Sequence, residues 1–90
     1  MIVEHIGRPA MYEQLAEEAA ELSFAALKMA RILRKENPTP KTEQEMAASL
    51  VEEASDLKLC LDDLGILPDK DIIKIKAARF KQRWKAAQDQ

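Results

Sequence analysis

Two acidic segments of nearly the same composition occur 35 residues apart in this chain. They are LAEEAAEL, residues 15–22, and LVEEASDL, residues 50–57. Each places two carboxylates three positions apart: Glu18 and Glu21 in the first segment, and Glu53 and Asp56 in the second. Carboxylate oxygens are ligands that Mg²⁺ and Mn²⁺ prefer, and such ions activate water and neutralise phosphate oxygens. The segments therefore suggest a divalent metal site, provided that the fold brings them together.

Helix geometry decides on which side these carboxylates lie. At about 100° per residue, the first pair falls roughly 60° and 120° away from the apolar row that begins at Leu15. The second pair has the same offsets from the row that begins at Leu50. An antiparallel hairpin brings both pairs to about the same height. Four carboxylates beside an apolar core repel one another, and a bound cation removes this conflict. We therefore predict that Mg²⁺, or Mn²⁺ in its place, binds at all four.

A solvated charged surface is the alternative interpretation. Helices rich in alanine and glutamate are common, and paired glutamates on them usually face water. A single ExxE spacing would favour that alternative. Two copies in register, on helices that are expected to pair, favour the metal site instead.

Three long helices are predicted to position these residues. The first runs from about Pro9 to about Lys35, and the prolines of ENPTPKT, residues 36–42, end it. Thr42 and Glu45 have the spacing of a capping box at the start of the second helix.

Glycine and proline mark the remaining boundaries. Gly65 ends the second helix, and Pro68 with Asp69 opens a third helix that carries Phe80 and Trp84 at helical spacing. The first residues, 2–6, are expected to form a short extra turn or helix. The predicted fold is all-α: one domain over residues 1–90, with an antiparallel helical hairpin and a C-terminal helix.

The first helix is apolar on more than one side. A second row lies beside the Leu15 row and consists of Ala16, Ala20, Phe24 and Leu27. In so small a protein, a helix buried on two sides implies a helix from another subunit. We therefore expect a helical bundle that forms across a homodimer or homotetramer. The alternative is that the alanines only favour helix formation.

Composition and charge exclude several classes of function. The net charge is −2, with −6 over residues 1–66 and +4 over residues 67–90. This acidic body argues against a partner that is a nucleic acid polymer. No run of about 18 apolar residues indicates a membrane span. The N-terminus lacks the basic start and apolar core of a signal peptide, and the single cysteine, Cys60, fits a reducing compartment. We expect a cytoplasmic protein.

The acidic pattern resembles a known signature. EEAAE (residues 17–21) followed by ExxD (residues 53–56) is similar to the EExxE…ExxD motif of the MazG-like, all-α nucleoside triphosphate pyrophosphohydrolases. That superfamily also holds the dimeric dUTPases and phosphoribosyl-ATP pyrophosphatase. The flanking sequence looks like the short, single-domain members of phages and bacterial chromosomes. The resemblance covers roughly residues 12–84.

The resemblance implies an oligomeric enzyme that cleaves a nucleoside triphosphate between its α and β phosphates. By position, Mg²⁺ would be held by Glu18, Glu21, Glu53 and Asp56. Glu17 matches the first glutamate of the motif, and it would orient or activate the attacking water or bind a second ion. The basic residues that suit the phosphates are Lys76, Arg79 and Arg83 on the third helix and Lys28 on the first. Each of these basic residues has a solvated surface charge as its alternative.

Other functions stay open at this point. Phosphoribosyl-ATP pyrophosphatase has a similar length and motif. A non-catalytic helical interaction module is a hypothesis of another class, and it predicts no metal binding. We interpret Asn37, in the connecting loop, as a turn residue, with a base or sugar contact as its alternative.

Overall fold

Four α-helices make up the described part of the chain. The computed structural model describes residues 1–36 and 40–89. Within them the helices are α1 (Val3–Ile6), α2 (Arg8–Arg34), α3 (Glu43–Asp63) and α4 (Lys70–Gln88), and there is no β-strand. The predicted all-α class and the short N-terminal helix are confirmed. Across these residues, no helix has both the length and the apolar character that a membrane crossing requires.

The ends of α3 are set by side chains and glycine, as the sequence predicts. The Thr42 hydroxyl accepts a hydrogen bond from the Glu45 N–H at 3.1 Å, and the Glu45 carboxylate accepts one from the Thr42 N–H at 3.1 Å. At the other end, Gly65 has a φ of 71°. Its N–H reaches Asp62 O, and the Ile66 N–H reaches Leu61 O. This Schellman arrangement pairs carbonyls that the helix leaves free.

The other long helices also end at local signals. Lys35 takes a left-handed conformation, with a φ of 57°, and its N–H caps carbonyls of the last turn of α2. Asp69 begins α4, because its side chain accepts hydrogen bonds from the N–H groups of Asp71 and Ile72, both at 2.9 Å. These caps position α3 and α4 close to where the sequence places them.

An antiparallel pairing of α2 with α3 forms the core. Met11, near the start of α2, lies beside Cys60 near the end of α3. Ala25, about one turn past the middle of α2, lies beside Met46 in the first turn of α3. These four residues are the buried apolar residues of the described chain. The line of contact, which we call the seam, therefore passes through Met11 and Ala25 on α2 and through Met46 and Cys60 on α3.

On α2 the seam is displaced from the predicted apolar row that begins at Leu15. Ala26 and Leu33 belong to the predicted row on α2, yet both are exposed, and Leu33 retains 58% of its accessible surface. The contact face is rotated by roughly 60° from that row. The physical reason is that α2 carries apolar residues on more sides than one neighbouring helix can cover. Phe24, in the second row, is 59% exposed.

The N-terminal segment is hydrogen-bonded to the end of α3, at the end of the hairpin opposite the connection between α2 and α3. The Asp63 carboxylate accepts hydrogen bonds from the Val3 N–H at 2.6 Å and from the Ile2 N–H at 3.2 Å. A carboxylate here both pairs two N–H groups at the start of α1 and places a negative charge at its N-terminus. This contact holds α1 against the hairpin.

The C-terminal helix extends away from the hairpin. Every residue of α4 is exposed, including Phe80 at 71% and Trp84 at 60%. Its apolar residues therefore remain uncovered within one copy of the chain. An isolated helix of 19 residues has little stability of its own in water.

The contribution of the Thr42–Glu45 capping box to stability can be tested by substitution. We expect Thr42→Ala to lower the free energy of unfolding by about 1 kcal/mol, because the Glu45 N–H loses its acceptor at the start of α3. Chemical denaturation followed by circular dichroism measures this change. Thr42→Ser keeps the oxygen, and it should retain most of the stability. Equal losses in both variants would contradict a capping role.

Candidate metal centre

The acidic residues lie within the seam. Glu18 is seven residues after Met11 and seven before Ala25, and Glu53 is placed in the same way between Met46 and Cys60. Seven residues are close to two helical turns, so residues at this spacing share one side of a helix. Each glutamate therefore lies between two buried residues of its own helix, on the side that faces the other helix, rather than at the edge of that side.

Three carboxylates from the two acidic segments converge there. One oxygen each from Glu18, Glu53 and Asp56 lies within 4.8 Å of the other two. All three residues are half-buried. The antiparallel hairpin therefore brings residues 35 positions apart to the same height, as the repeated segments predict.

Two carboxylate oxygens of these residues are buried without a hydrogen-bond partner. They are Glu18 Oε2 and Glu53 Oε2, which have no partner among the described residues. Burying an unpaired carboxylate oxygen is costly, because neither water nor the protein replaces its lost hydration. The seam thus contains unsatisfied negative charge that a cation would satisfy.

Glu21 joins this group from the outer side of α2. Its pKa is raised above 4.5. The first cause is its hydrogen bond with Glu53, followed by the negative charge of Glu53 and by desolvation, and a hydrogen bond with Glu18 opposes the rise. Asp56 adds further repulsion. Glu21 therefore interacts with the three converging carboxylates, but it is exposed and is not one of them.

Gln14 and Cys60 lie beside the carboxylate cluster on the side that faces α1. Gln14 Nε2 donates a hydrogen bond to Glu18 Oε1 at 2.8 Å. Cys60 is buried beside the carboxylates, and its pKa is raised first by burial and then by the charges of Glu18, Asp63 and Asp56. The thiol is therefore a core residue of low reactivity.

A cleft opens on the other side of the cluster. It has a volume of about 370 Å³ and lies between α2 and α3. Glu21 and Glu53 line one part of it, and Phe24 and Met46 are among its apolar residues. Two lysines complete its lining: Lys28, which is half-buried, and Lys41, which precedes α3. The Lys28 ammonium lies 4.6 Å from the centre of the Phe24 ring. The cleft thus combines carboxylates with cationic side chains.

The remaining predicted residues lie elsewhere. Glu17 is exposed and does not belong to the group of converging carboxylates. Three predicted phosphate ligands are exposed on α4 and do not line the cleft: Lys76, Arg79 and Arg83. Asn37 lies outside the described residues. The roles proposed for these residues stay predictions.

Sequence reasoning missed two residues at the site. Gln14 precedes Glu18 by one helical turn, a spacing at which helix side chains interact, so the signal was present. Lys41 had no such signal, because its position depends on the path of the loop. The chain matches no protein-family model, no curated protein and no solved structure in comparisons with each. The interpretation of the site therefore depends on its own geometry and on its motif.

The donor set fits a hard divalent cation. All the converging donors are carboxylate oxygens, which suit Mg²⁺ and Mn²⁺ and are poor ligands for soft metals. With Mg–O bonds of about 2.1 Å, opposite ligands lie about 4.2 Å apart. The observed limit of 4.8 Å is slightly wider. The three oxygens therefore lie close to the span of one coordination shell, and Mg²⁺ would retain waters at its other positions.

The raised pKa of Glu21 predicts how stability depends on pH without metal. The folded state binds the Glu21 proton more tightly than the unfolded state does. The stability that this tighter proton binding contributes is therefore fully present below pH 4.5. It is lost as the pH rises through the pKa of Glu21 in the folded state, which is the higher of the two. We expect Glu21→Gln to raise the thermal midpoint of the metal-free protein at neutral pH, and to raise it less at pH 4.

The control for this experiment is Glu13→Gln, at an exposed glutamate of the same helix. It should shift the midpoint similarly at both pH values. Thermal denaturation in the presence of a chelator measures both variants. A Glu21→Gln midpoint that stays at or below that of the parent chain at neutral pH would contradict the proposed repulsion.

Proposed function

We propose that this chain is a Mg²⁺-dependent nucleoside triphosphate pyrophosphohydrolase. It would cleave the bond between the α and β phosphates and release a nucleoside monophosphate and pyrophosphate. The observation that carries the proposal is the meeting of both acidic segments in the seam, where two carboxylate oxygens are buried and unpaired. This is the arrangement that the EExxE…ExxD resemblance implies.

The residues of the chain have separate tasks in this proposal. The metal is held by Glu18, Glu21, Glu53 and Asp56. Bound Mg²⁺ supplies positive charge to the phosphate oxygens and activates water. Lys28 in the cleft attracts the anionic substrate and neutralises part of its charge. Glu17 orients or activates the attacking water, as its place in the motif implies.

The cleft is large enough for part of a nucleotide. Its volume of about 370 Å³ is within the range of small-molecule sites, about 300–1,000 Å³. Its apolar surface suits a base or sugar, and its lysines and carboxylates lie where phosphates and their cations would bind. These features support a nucleoside triphosphate as the proposed substrate class, and the proposed role is the removal of unwanted nucleotides.

A second copy of the chain is part of the proposal. Phe24 on α2 and both Phe80 and Trp84 on α4 are more than half exposed. A homodimer or homotetramer that forms one helical bundle would cover these surfaces. Such an assembly would also allow Lys76, Arg79 and Arg83 of one copy to approach the cleft of another.

The function is tested by removing one carboxylate from the seam. We expect Glu53→Gln to reduce pyrophosphate release in the presence of Mg²⁺ by about 100-fold or more, because a site that loses one ligand charge loses several kcal/mol of charge stabilisation. The measurement is pyrophosphate release across a panel of ribo- and deoxyribonucleoside triphosphates, with phosphoribosyl-ATP included.

Glu52→Gln is the matched control, since Glu52 is the exposed neighbour on the same helix. It should retain parental activity. Equal activity in the Glu53 and Glu52 variants would refute the role of Glu53. Preferred turnover of phosphoribosyl-ATP would assign the phosphoribosyl-ATP branch. Absence of hydrolysis together with absence of Mn²⁺ binding would favour the helical interaction module.

The oligomer is tested separately. We expect the double variant Phe80→Lys and Trp84→Lys to shift the protein to a smaller species, because charges replace two aromatic side chains that the proposed assembly would bury. Sedimentation velocity at several concentrations measures the change. The matched control is Lys81→Gln with Lys85→Gln on the same helix, which should leave the mass unchanged. A parent chain that sediments as a monomer at all concentrations would contradict the proposed assembly.

A further inference from the structure

We infer that Gln14 is a positioning residue for the metal centre, holding Glu18 so that one of its oxygens stays directed at the cation. The inference rests on the metal centre proposed above. Gln14 Nε2 donates to Glu18 Oε1 at 2.8 Å in a partly buried contact. The other oxygen of the same carboxylate, Oε2, is buried and has no partner among the described residues.

The hydrogen bond from Gln14 gives the two oxygens of Glu18 different roles. A carboxylate only accepts hydrogen bonds, so the amide NH₂ of Gln14 must face it. The terminal torsion of a glutamate is otherwise broad, and the two oxygens exchange places by rotation. Occupation of Oε1 restricts that rotation and leaves Oε2 in the seam. Outer residues that orient a ligand in this way raise metal affinity.

Gln14 is uncharged, and this affects the charge that Glu18 presents to a cation. The chain contains another pair at the same spacing, Lys58 with Asp62, in which an ammonium lies 2.9 Å from the carboxylate. That pair is exposed and neutralises its own charge. At Gln14 the donor is an amide, so Glu18 receives a hydrogen bond and keeps its full negative charge. A ligand for a cation requires that charge.

The surroundings of Gln14 favour this role over helix stabilisation alone. Gln14 is half-buried and shares a small cavity with Met11, Glu18, Asp56 and Cys60. Its side chain therefore faces the seam. A pair that only stabilised the helix surface would be exposed, as the pair of Lys58 and Asp62 is.

Mn²⁺ affinity of the purified chain, measured by titration calorimetry, tests the inference without using catalysis. We expect Gln14→Met to weaken Mn²⁺ binding by about tenfold, because methionine has a similar length but donates no hydrogen bond. Gln14→Lys should weaken binding at least as much, because its ammonium pairs with Glu18 and competes with the cation. Both variants should keep the thermal midpoint of the metal-free protein within a few degrees.

The control is Gln44→Met, at an exposed glutamine of α3, and it should bind Mn²⁺ as the parent does. Parental affinity in either Gln14 variant would overturn the inference while leaving the metal centre intact. An equal loss in the Gln44 variant would overturn it too. A parent chain that binds no Mn²⁺ would instead overturn the proposed function, and this inference with it.

Discussion

The fold depends on a single conflict: carboxylates occupy the line along which two helices meet. Glu18 and Glu53 lie at the seven-residue spacing that elsewhere in the seam is taken by Met11, Ala25, Met46 and Cys60. Apolar contact above and below draws the helices together, while like charges between those layers push them apart. The capping box at Thr42 and the Schellman arrangement at Gly65 fix the two ends of α3. The acidic cluster is thus a consequence of how the hairpin pairs.

The same conflict limits what one copy of the chain can bury. Positions that would normally hold core side chains hold acids, and only four apolar residues are buried among those described. Larger apolar side chains on α2 and α4 remain outside the hairpin. A domain of this size has little stability to spare. Cation binding and assembly would each stabilise the folded state, which the isolated hairpin stabilises only weakly.

Much of this arrangement is predictable from local sequence. Thr42 and Glu45 form the expected capping box, Gly65 ends α3, and Asp69 begins α4. The meeting of the acidic segments follows from their shared spacing and from an antiparallel hairpin. The rotation of the contact face does not follow, because α2 offers several apolar rows and only packing decides between them. The position of Lys41 beside the cleft likewise depends on tertiary structure.

The hydrogen bonds from Ile2 and Val3 to Asp63 have a consequence for the order of folding. The contact with Ile2 joins residues 61 positions apart, whereas α2 and α3 are joined by a short loop. Closing a long loop costs more chain entropy than closing a short one. The hairpin can therefore form first, and its formation brings the two ends of that long loop close together. The N-terminal segment then docks on a surface that the hairpin has already built, so it can be released without unfolding the hairpin.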